Sequence, residues 1–197
     1  MPKGIPLTAE ELNRRRHEVF AASVHLFLEQ GFRETSMQEI AAAAGMGKST
    51  LYDYFKTKDE ILTSVVEDEI YDLTEAAREI AGRELPATEK IHLIMHNHLD
   101  YLLANKEFHS RLANEVQRLD LESQQRIQAR RHAYQDLLRC LVEDAIQDGT
   151  FRPVNALLAA RTILVILTPV VFTHRPTGTP EQMMDEAFDI FYKGVLA

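Results

Sequence analysis

Apolar residues recur along the chain at the three-and-four spacing of amphipathic helices, with no run of strand-like alternation. In residues 8–30 one stripe collects Leu12, Val19, Phe20, Ala22, Leu26 and Phe27. Ser23 lies on the same face and fits it if its hydroxyl bonds back to the preceding turn. Thr8-Ala9-Glu10-Glu11 opens this helix as a capping box, in which a hydroxyl accepts an N–H three residues on and a carboxylate reaches back. Gly31 closes it. Ser36-Met37-Gln38-Glu39 opens a second, short helix with Met37, Ile40, Ala41 and Ala44 inward, and Gly45 ends it. A third runs from about Gly47 to Tyr54 with Leu51 and Phe55 inward. Thr57-Lys58-Asp59-Glu60 starts a fourth, to roughly Ala81, that carries Ile61, Leu62, Val65, Val66, Ile70, Leu73 and Ile80. Further helices are expected near 86–105, 107–119, 122–147, 154–174 and 180–195, the last opened by Thr179-Pro180-Glu181-Gln182. The fold class is all-α: a three-helix head in residues 1–58 and a larger helical body in 59–197.

The two short helices are where chemistry concentrates. Alanines at 41–44 let them cross steeply over a glycine turn. Lys48, Ser49, Thr50, Asp53 and Tyr54 are left outward or lateral on the second. A cation, two hydroxyls and a phenol on one short helix suit phosphates and base edges, the layout of a DNA-reading helix-turn-helix. An ordinary helical hairpin inside a bundle is the alternative.

Thr35 to Ile61 resembles the DNA-binding signature of tetracycline-repressor-type (TetR family) transcriptional regulators. The matching residues are Thr35, Ser36, Ile40, Ala41, Ala44, Gly45, Tyr52, Phe55 and Lys58, with Met46 and Ile61 as apolar equivalents. Three positions depart from the pattern. Gly47 stands where a capping serine or threonine is usual, Ser49 where glycine is common, and Asp53 adds a negative charge to a helix meant to lie on DNA. The resemblance implies a regulator, usually a repressor, that binds a palindromic operator in double-stranded DNA as a homodimer and responds to a small-molecule effector. On that footing Lys48, Tyr54 and Lys58 are expected on phosphate, with Thr35 and Ser36 adding contacts at the helix start. Ser49, Thr50 and Asp53 are expected near base edges, and Tyr52 on the backbone or in packing.

The net charge of −8 looks wrong for such a partner until it is divided along the chain. Residues 1–58 hold eight lysines and arginines against seven carboxylates, a net of +1, which leaves −9 for the rest. An anionic body discourages non-specific sticking while the head meets phosphate. Arg14, Arg15 and Arg16, near the start of the first helix, read equally as a solvated face or as phosphate contacts. The single Cys140 excludes an internal disulfide, fits a reducing cytoplasm and reads as core filler among Leu137, Leu138, Leu141 and Val142. The longest apolar run, Ile163–Phe172, is too short to cross a bilayer, and the first residues lack the apolar core of an export signal. No membrane partner is expected.

No phosphate-cradling glycine loop, nucleophile elbow or cysteine cluster is present, and no cofactor or enzymatic activity is expected. An enzyme would have to use the histidines with Glu115 or Asp100. His92, His96 and Asp100 fall on one helical face and form a weak metal candidate beside the plainer reading of a polar stripe. Effector walls are expected from Met95, His98, Leu99, Leu102, Phe108, Leu112, Val116, Tyr134, Leu138, Thr162, Ile166 and Phe172, mostly apolar with three polar fixtures. The run from Thr168 to Glu181 also resembles TetR-type regulators of fatty-acid catabolism, which implies a fatty acyl thioester whose phosphates meet Arg111, Arg118, Arg130 or Arg131. A hydrophobic cationic drug is the competing effector, with Glu115 as its acid and an efflux operon under control. The last two helices carry more apolar surface than a small body covers, and Leu164, Leu167, Val171, Met184, Phe188 and Phe191 are expected to pair across a two-fold axis.

Overall fold

The computed structural model describes residues 8–196, and among these the secondary structure is helical apart from one isolated bridge. The order is α1 (Ala9–Glu29), α2 (Met37–Ala43), α3 (Lys48–Tyr54), α4 (Lys58–Ala81), α5 (Ala87–Ala104), α6 (Lys106–Val116), α7 (Leu121–Gln147), α8 (Ala156–Val171) and α9 (Pro180–Val195). Complete capping boxes start α1, α2 and α9, through Thr8 with Glu11, Ser36 with Glu39, and Thr179 with Gln182. At α4 only half of the expected box forms. Thr57 Oγ1 accepts from Glu60 N at 3.0 Å, but the Glu60 carboxylate takes the N–H of Lys56 at 2.7 Å.

Packing divides the chain into two compact units. Among the described residues the first comprises 8–67 with 111–126, and the second 68–110 with 127–196. The expected boundary after residue 58 therefore does not follow the packing, because the start of α4 and the α6–α7 segment pack with the head. Leu62, Val65 and Val66 of α4 are buried there with Val19, Phe20, Phe27, Ile40, Leu51 and Phe55. Each fully buried aliphatic or aromatic side chain contributes about 1.5–3 kcal/mol to holding the short helices in place. Two expectations fail in α1. Leu12 is exposed, and the buried Ser23 hydroxyl finds no hydrogen-bond partner.

Between α2 and α3, Gly45 adopts φ 65°, a left-handed conformation that glycine enters without steric cost. The Gly45 N–H donates to Ala42 O at 3.1 Å and the Met46 N–H to Ala41 O at 2.9 Å, the pair of bonds of a Schellman stop. In the second unit the core gathers Ile91, Ile94, Met95 and Leu99 of α5, Leu138 and Val142 of α7, Ile163, Leu167 and Val171 of α8, and Met184 and Phe188 of α9. The end of α9 is fastened by Arg152, whose guanidinium donates twice to Gly194 O, at 2.9 and 2.7 Å, and whose N–H donates to Val195 O. Cys140 is exposed rather than core filler, because its neighbours Leu138, Leu141 and Val142 take the inward positions of α7.

Candidate functional site

The outward face of α3 is built by what points the other way. Leu51 and Phe55 are buried, which leaves Lys48, Ser49, Thr50, Tyr52 and Asp53 exposed and Tyr54 half-buried. Gly47 is the N-cap in extended geometry and contributes no side-chain cap bond. At the other end the Lys56 ammonium donates to Tyr52 O, closing the last turn. Arg16 lies over two rings, 5.3 Å from the centroid of Phe55 and 5.7 Å from that of Phe20. Arg15 pairs with Glu18 at 3.0 Å and Arg14 approaches the same carboxylate at 4.0 Å. A short helix thus offers one lysine, two hydroxyls and phenols to a partner, in the mixture that phosphates and base edges accept.

Two expected phosphate contacts are corrected by the structure. The Lys58 ammonium donates to the carbonyls of Phe32, Arg33 and Thr35 at 2.5, 2.7 and 3.0 Å, which uses its three hydrogens, and it sits 4.8 Å from the centroid of the Phe32 ring. It clamps the α1–α2 turn. Thr35 is buried, its hydroxyl donating to Gly31 O at 2.8 Å while its N–H donates to the same carbonyl. Ser36 stays at the surface but shares its hydroxyl with Glu39, donating to the carboxylate at 2.7 Å. All three residues shape the turn that sets α2 and α3.

Polar side chains meet in the second unit beside its apolar core. Tyr134 Oη and His98 Nδ1 lie 3.3 Å apart. Burial first, and the neighbouring His109 second, push His98 down to about 4, so its imidazole is neutral. Burial first, then Asp68 and Asp72, push Glu69 up to about 7, against the opposing pull of the Tyr101 phenol. The Tyr101 phenol faces Glu69, while the buried His109 Nε2 beside it has no hydrogen-bond partner. The Tyr101 and His109 rings pack edge to face, with centroids 5.6 Å apart. Buried polar atoms are rarely left unpaired in native proteins, so such groups call for an occupant or a function.

Several comparisons bear on what these surfaces are for. Residues 84–195 match the family described as "Tetracyclin repressor-like, C-terminal domain", and residues 19–65 match "Bacterial regulatory proteins, tetR family". The chain belongs to the tetR family. This TetR-family chain is therefore a DNA-binding transcriptional regulator by kind. It is 26% identical over 173 residues to the fatty acid metabolism regulator protein of Bacillus subtilis, covering 88% of this chain and 86% of that one. The fold is shared with the regulator FadR of Bacillus subtilis solved in complex with stearoyl-CoA, with TM-score 0.78, 22% identity and coverage of 90% and 98%. AibR, solved with isovaleryl coenzyme A and operator DNA, gives TM-score 0.70 at 25% identity, covering 90% and 98%. No helix among the described residues is long and apolar enough to cross a membrane.

The expected effector residues of this TetR-family body divide between the two units. Met95, Leu99, Phe108, Tyr134 and Leu138 are buried in the second unit, and Leu102, Ile166 and Phe172 pack against its core. Leu112 and Val116 fall in the first unit. Thr162 is exposed, its hydroxyl donating to Leu158 O at 2.9 Å, so it is no pocket fixture. Glu115 is taken by two guanidiniums, Arg118 at 3.0 Å and Arg33 at 3.6 Å, which removes it as an acid for a cationic effector. Arg111 donates to Leu28 O. Arg130 lies over the Tyr71 ring, and burial lowers the pKa of Arg131. The residues missing from the sequence reading are Glu69 and His109. A signal for Glu69 existed: it continues the apolar stripe of Leu62, Val65, Val66, Leu73 and Ile80, where a carboxylate is out of place.

Five of the six expected interface residues are also corrected. Leu167, Val171, Met184, Phe188 and Phe191 are buried within the chain's own core, and Leu164 is half-buried against it. A side chain with no exposed area has none to lose to a second copy. The exposed apolar residues of α8 and α9 are instead Leu158 (64%), Val165 (64%) and Ile190 (68%). Of the histidine stripe, His92 and His96 come together with Asp185 of α9 rather than with Asp100, which is exposed one turn further along α5.

Proposed function

We propose that this chain is a ligand-responsive regulator, a repressor in its resting state, that binds a palindromic operator as a homodimer through α3 and is released by a fatty acyl thioester. The observation that carries the effector reading is the buried, unpartnered His109 Nε2 beside the Tyr101 phenol, set with His98, Tyr134 and Glu69 against the apolar core of the second unit. An apolar chain with one hydrogen-bonding group suits such an interior: methylenes against Met95, Leu99 and Leu138, a carbonyl to the phenol. The acyl-CoA complexes of two structural relatives support that class. Lys48 meets phosphate and Ser49, Thr50 and Asp53 approach base edges. The dimer forms through Leu158, Val165 and Ile190, and its recognition helices then stand about 34–36 Å apart, one turn of duplex.

One observation favours a second reading. Glu69 is a half-buried carboxyl, and a lipophilic cation would hold it ionised. An effector can shift the regulator only through different affinities for its two arrangements, so displacement from DNA is the decisive readout. The operator complex is titrated in a gel shift with long-chain acyl-CoA, a short-chain acyl-CoA and a lipophilic cation. Release by long-chain acyl-CoA, weakened by Tyr101→Phe, is expected. Release by the cation alone overturns the acyl reading and favours the second.

A further inference from the structure

We propose that His92, His96 and Asp185 form a binding site for one divalent transition-metal ion of the zinc class, separate from the effector cluster. His92 and His96 stand one helical turn apart on α5 with ring centroids 4.3 Å apart. From α9, Asp185 brings a carboxylate oxygen to 3.6 Å from His96 Nε2. One ligand atom from each of the three residues lies within 4.8 Å of the other two. An ion bonded to imidazole nitrogen and carboxylate oxygen at about 2.0–2.2 Å holds its donors roughly 3–4 Å apart, so small side-chain rotations bring these three into its coordination shell.

Four features distinguish the cluster from an ordinary surface ion pair. His96 Nε2 is buried yet has no hydrogen-bond partner, and the Asp185 oxygen stops short of supplying one. The histidine spacing is that of zinc-binding helical pairs, in which two imidazoles on one face point at a common centre. Carboxylates of Glu89 and Glu181 add negative potential, Glu89 acting on His92 and Glu181 sensing His96. Phe188 walls one side with its ring centroid 5.4 Å from that of His92. Two nitrogens and one oxygen suit Zn²⁺, Co²⁺ or Ni²⁺ and not Mg²⁺ or Ca²⁺, which take oxygen ligands. The bound ion joins α9 to α5 within the second unit.

The test uses the full chain stripped with chelator. Co²⁺ is added while visible d–d absorption is followed, and Zn²⁺ competition and thermal melts accompany it. One equivalent of Co²⁺ is expected to give d–d bands that Zn²⁺ removes. At a hundredfold excess over Kd the melting temperature is expected to rise by roughly 5–10 °C. His96→Ala and Asp185→Asn should each weaken binding at least about tenfold, since even partners behind a ligand cost that much. His25→Ala is the control, because His25 pairs with Glu29 at the same spacing on α1. Far-UV circular dichroism checks each variant; should His96→Ala unfold, the exposed Asp185→Asn carries the test. Absence of d–d bands overturns the proposal, as do bands that survive both ligand variants or disappear with His25→Ala.

Discussion

Glu69→Gln should make the protein more stable at pH 8 and leave it nearly unchanged at pH 4.5. In the folded chain burial lifts this carboxyl from 4.5 to about 7. The shift corresponds to about 3 kcal/mol of preference for the protonated form. Between pH 4.5 and 7 the folded state binds more protons than the unfolded state, so stability falls as pH rises through that window, and the full cost is present above pH 7. Glutamine keeps the shape of the neutral acid and carries no such cost. His98 acts in the opposite sense. Its folded value of about 4 lies below the ordinary 6.5, so its contribution is complete above pH 6.5 and is lost as pH falls toward 4. The two trends offset each other between about 4.5 and 6.5 in the native protein, and Glu69→Gln should uncover the rising slope of His98. Urea titrations from pH 4 to 8 measure this, followed by circular dichroism and tyrosine emission, since the chain has no tryptophan. Agreement of the two probes checks that the units unfold together. A variant whose advantage is the same at every pH would refute the assignment of a half-buried, proton-holding Glu69.

Lys48→Ala should weaken binding to all DNA sequences alike and reduce the salt slope by about 0.9 with stability unchanged, whereas Lys58→Met should cost roughly 2–3 kcal/mol of stability because it strands three carbonyls. Salt-dependent gel shifts and denaturant melts on both variants separate the two roles. Ile190→Asp should give a folded monomer in sedimentation at micromolar concentration, while Met184→Ala should cost about 2–5 kcal/mol and leave the assembly intact; a dimeric Ile190→Asp would move the interface elsewhere. Gly47→Ser should raise stability by a few tenths of a kcal/mol by capping α3, since the position is extended and open, and a loss in thermal melts would contradict that geometry.

What was legible in the chain was local. Thr8, Ser36 and Thr179 mark helix starts because their partners lie three residues away, and the Gly45 stop is written within a single turn. The outward face of α3 follows from the same logic, Leu51 and Phe55 burying one side and exposing the other. Illegible were the contacts made across long sequence separations. Lys58 reaches carbonyls 23 to 26 residues back, a distance at which periodicity is silent. Asp185 replaces Asp100 beside the histidines because α9 runs along α5, with Tyr192 at Thr88, Phe188 at His92 and Asp185 at His96, and nothing on α5 announces that. The apolar stripes of α8 and α9 state that Phe188 and Met184 are buried without stating by what, and the chain's own core satisfied them before a second copy was needed.

The interleaving of the two units has a consequence in the order of synthesis. The first unit needs residues 111–126, where Arg111 reaches Leu28 O and Glu115 meets Arg33. A ribosome adds roughly 5–20 residues per second, so the helix-turn-helix waits about 3–12 s after its own residues emerge before these partners exist. The second unit waits longer still, because Arg152 closes on Gly194 and Thr88 O accepts from Tyr192, side chains near the very end of the described chain. Neither unit is a contiguous stretch, so a nascent chain halted near residue 67 holds a head still missing the contacts that complete it.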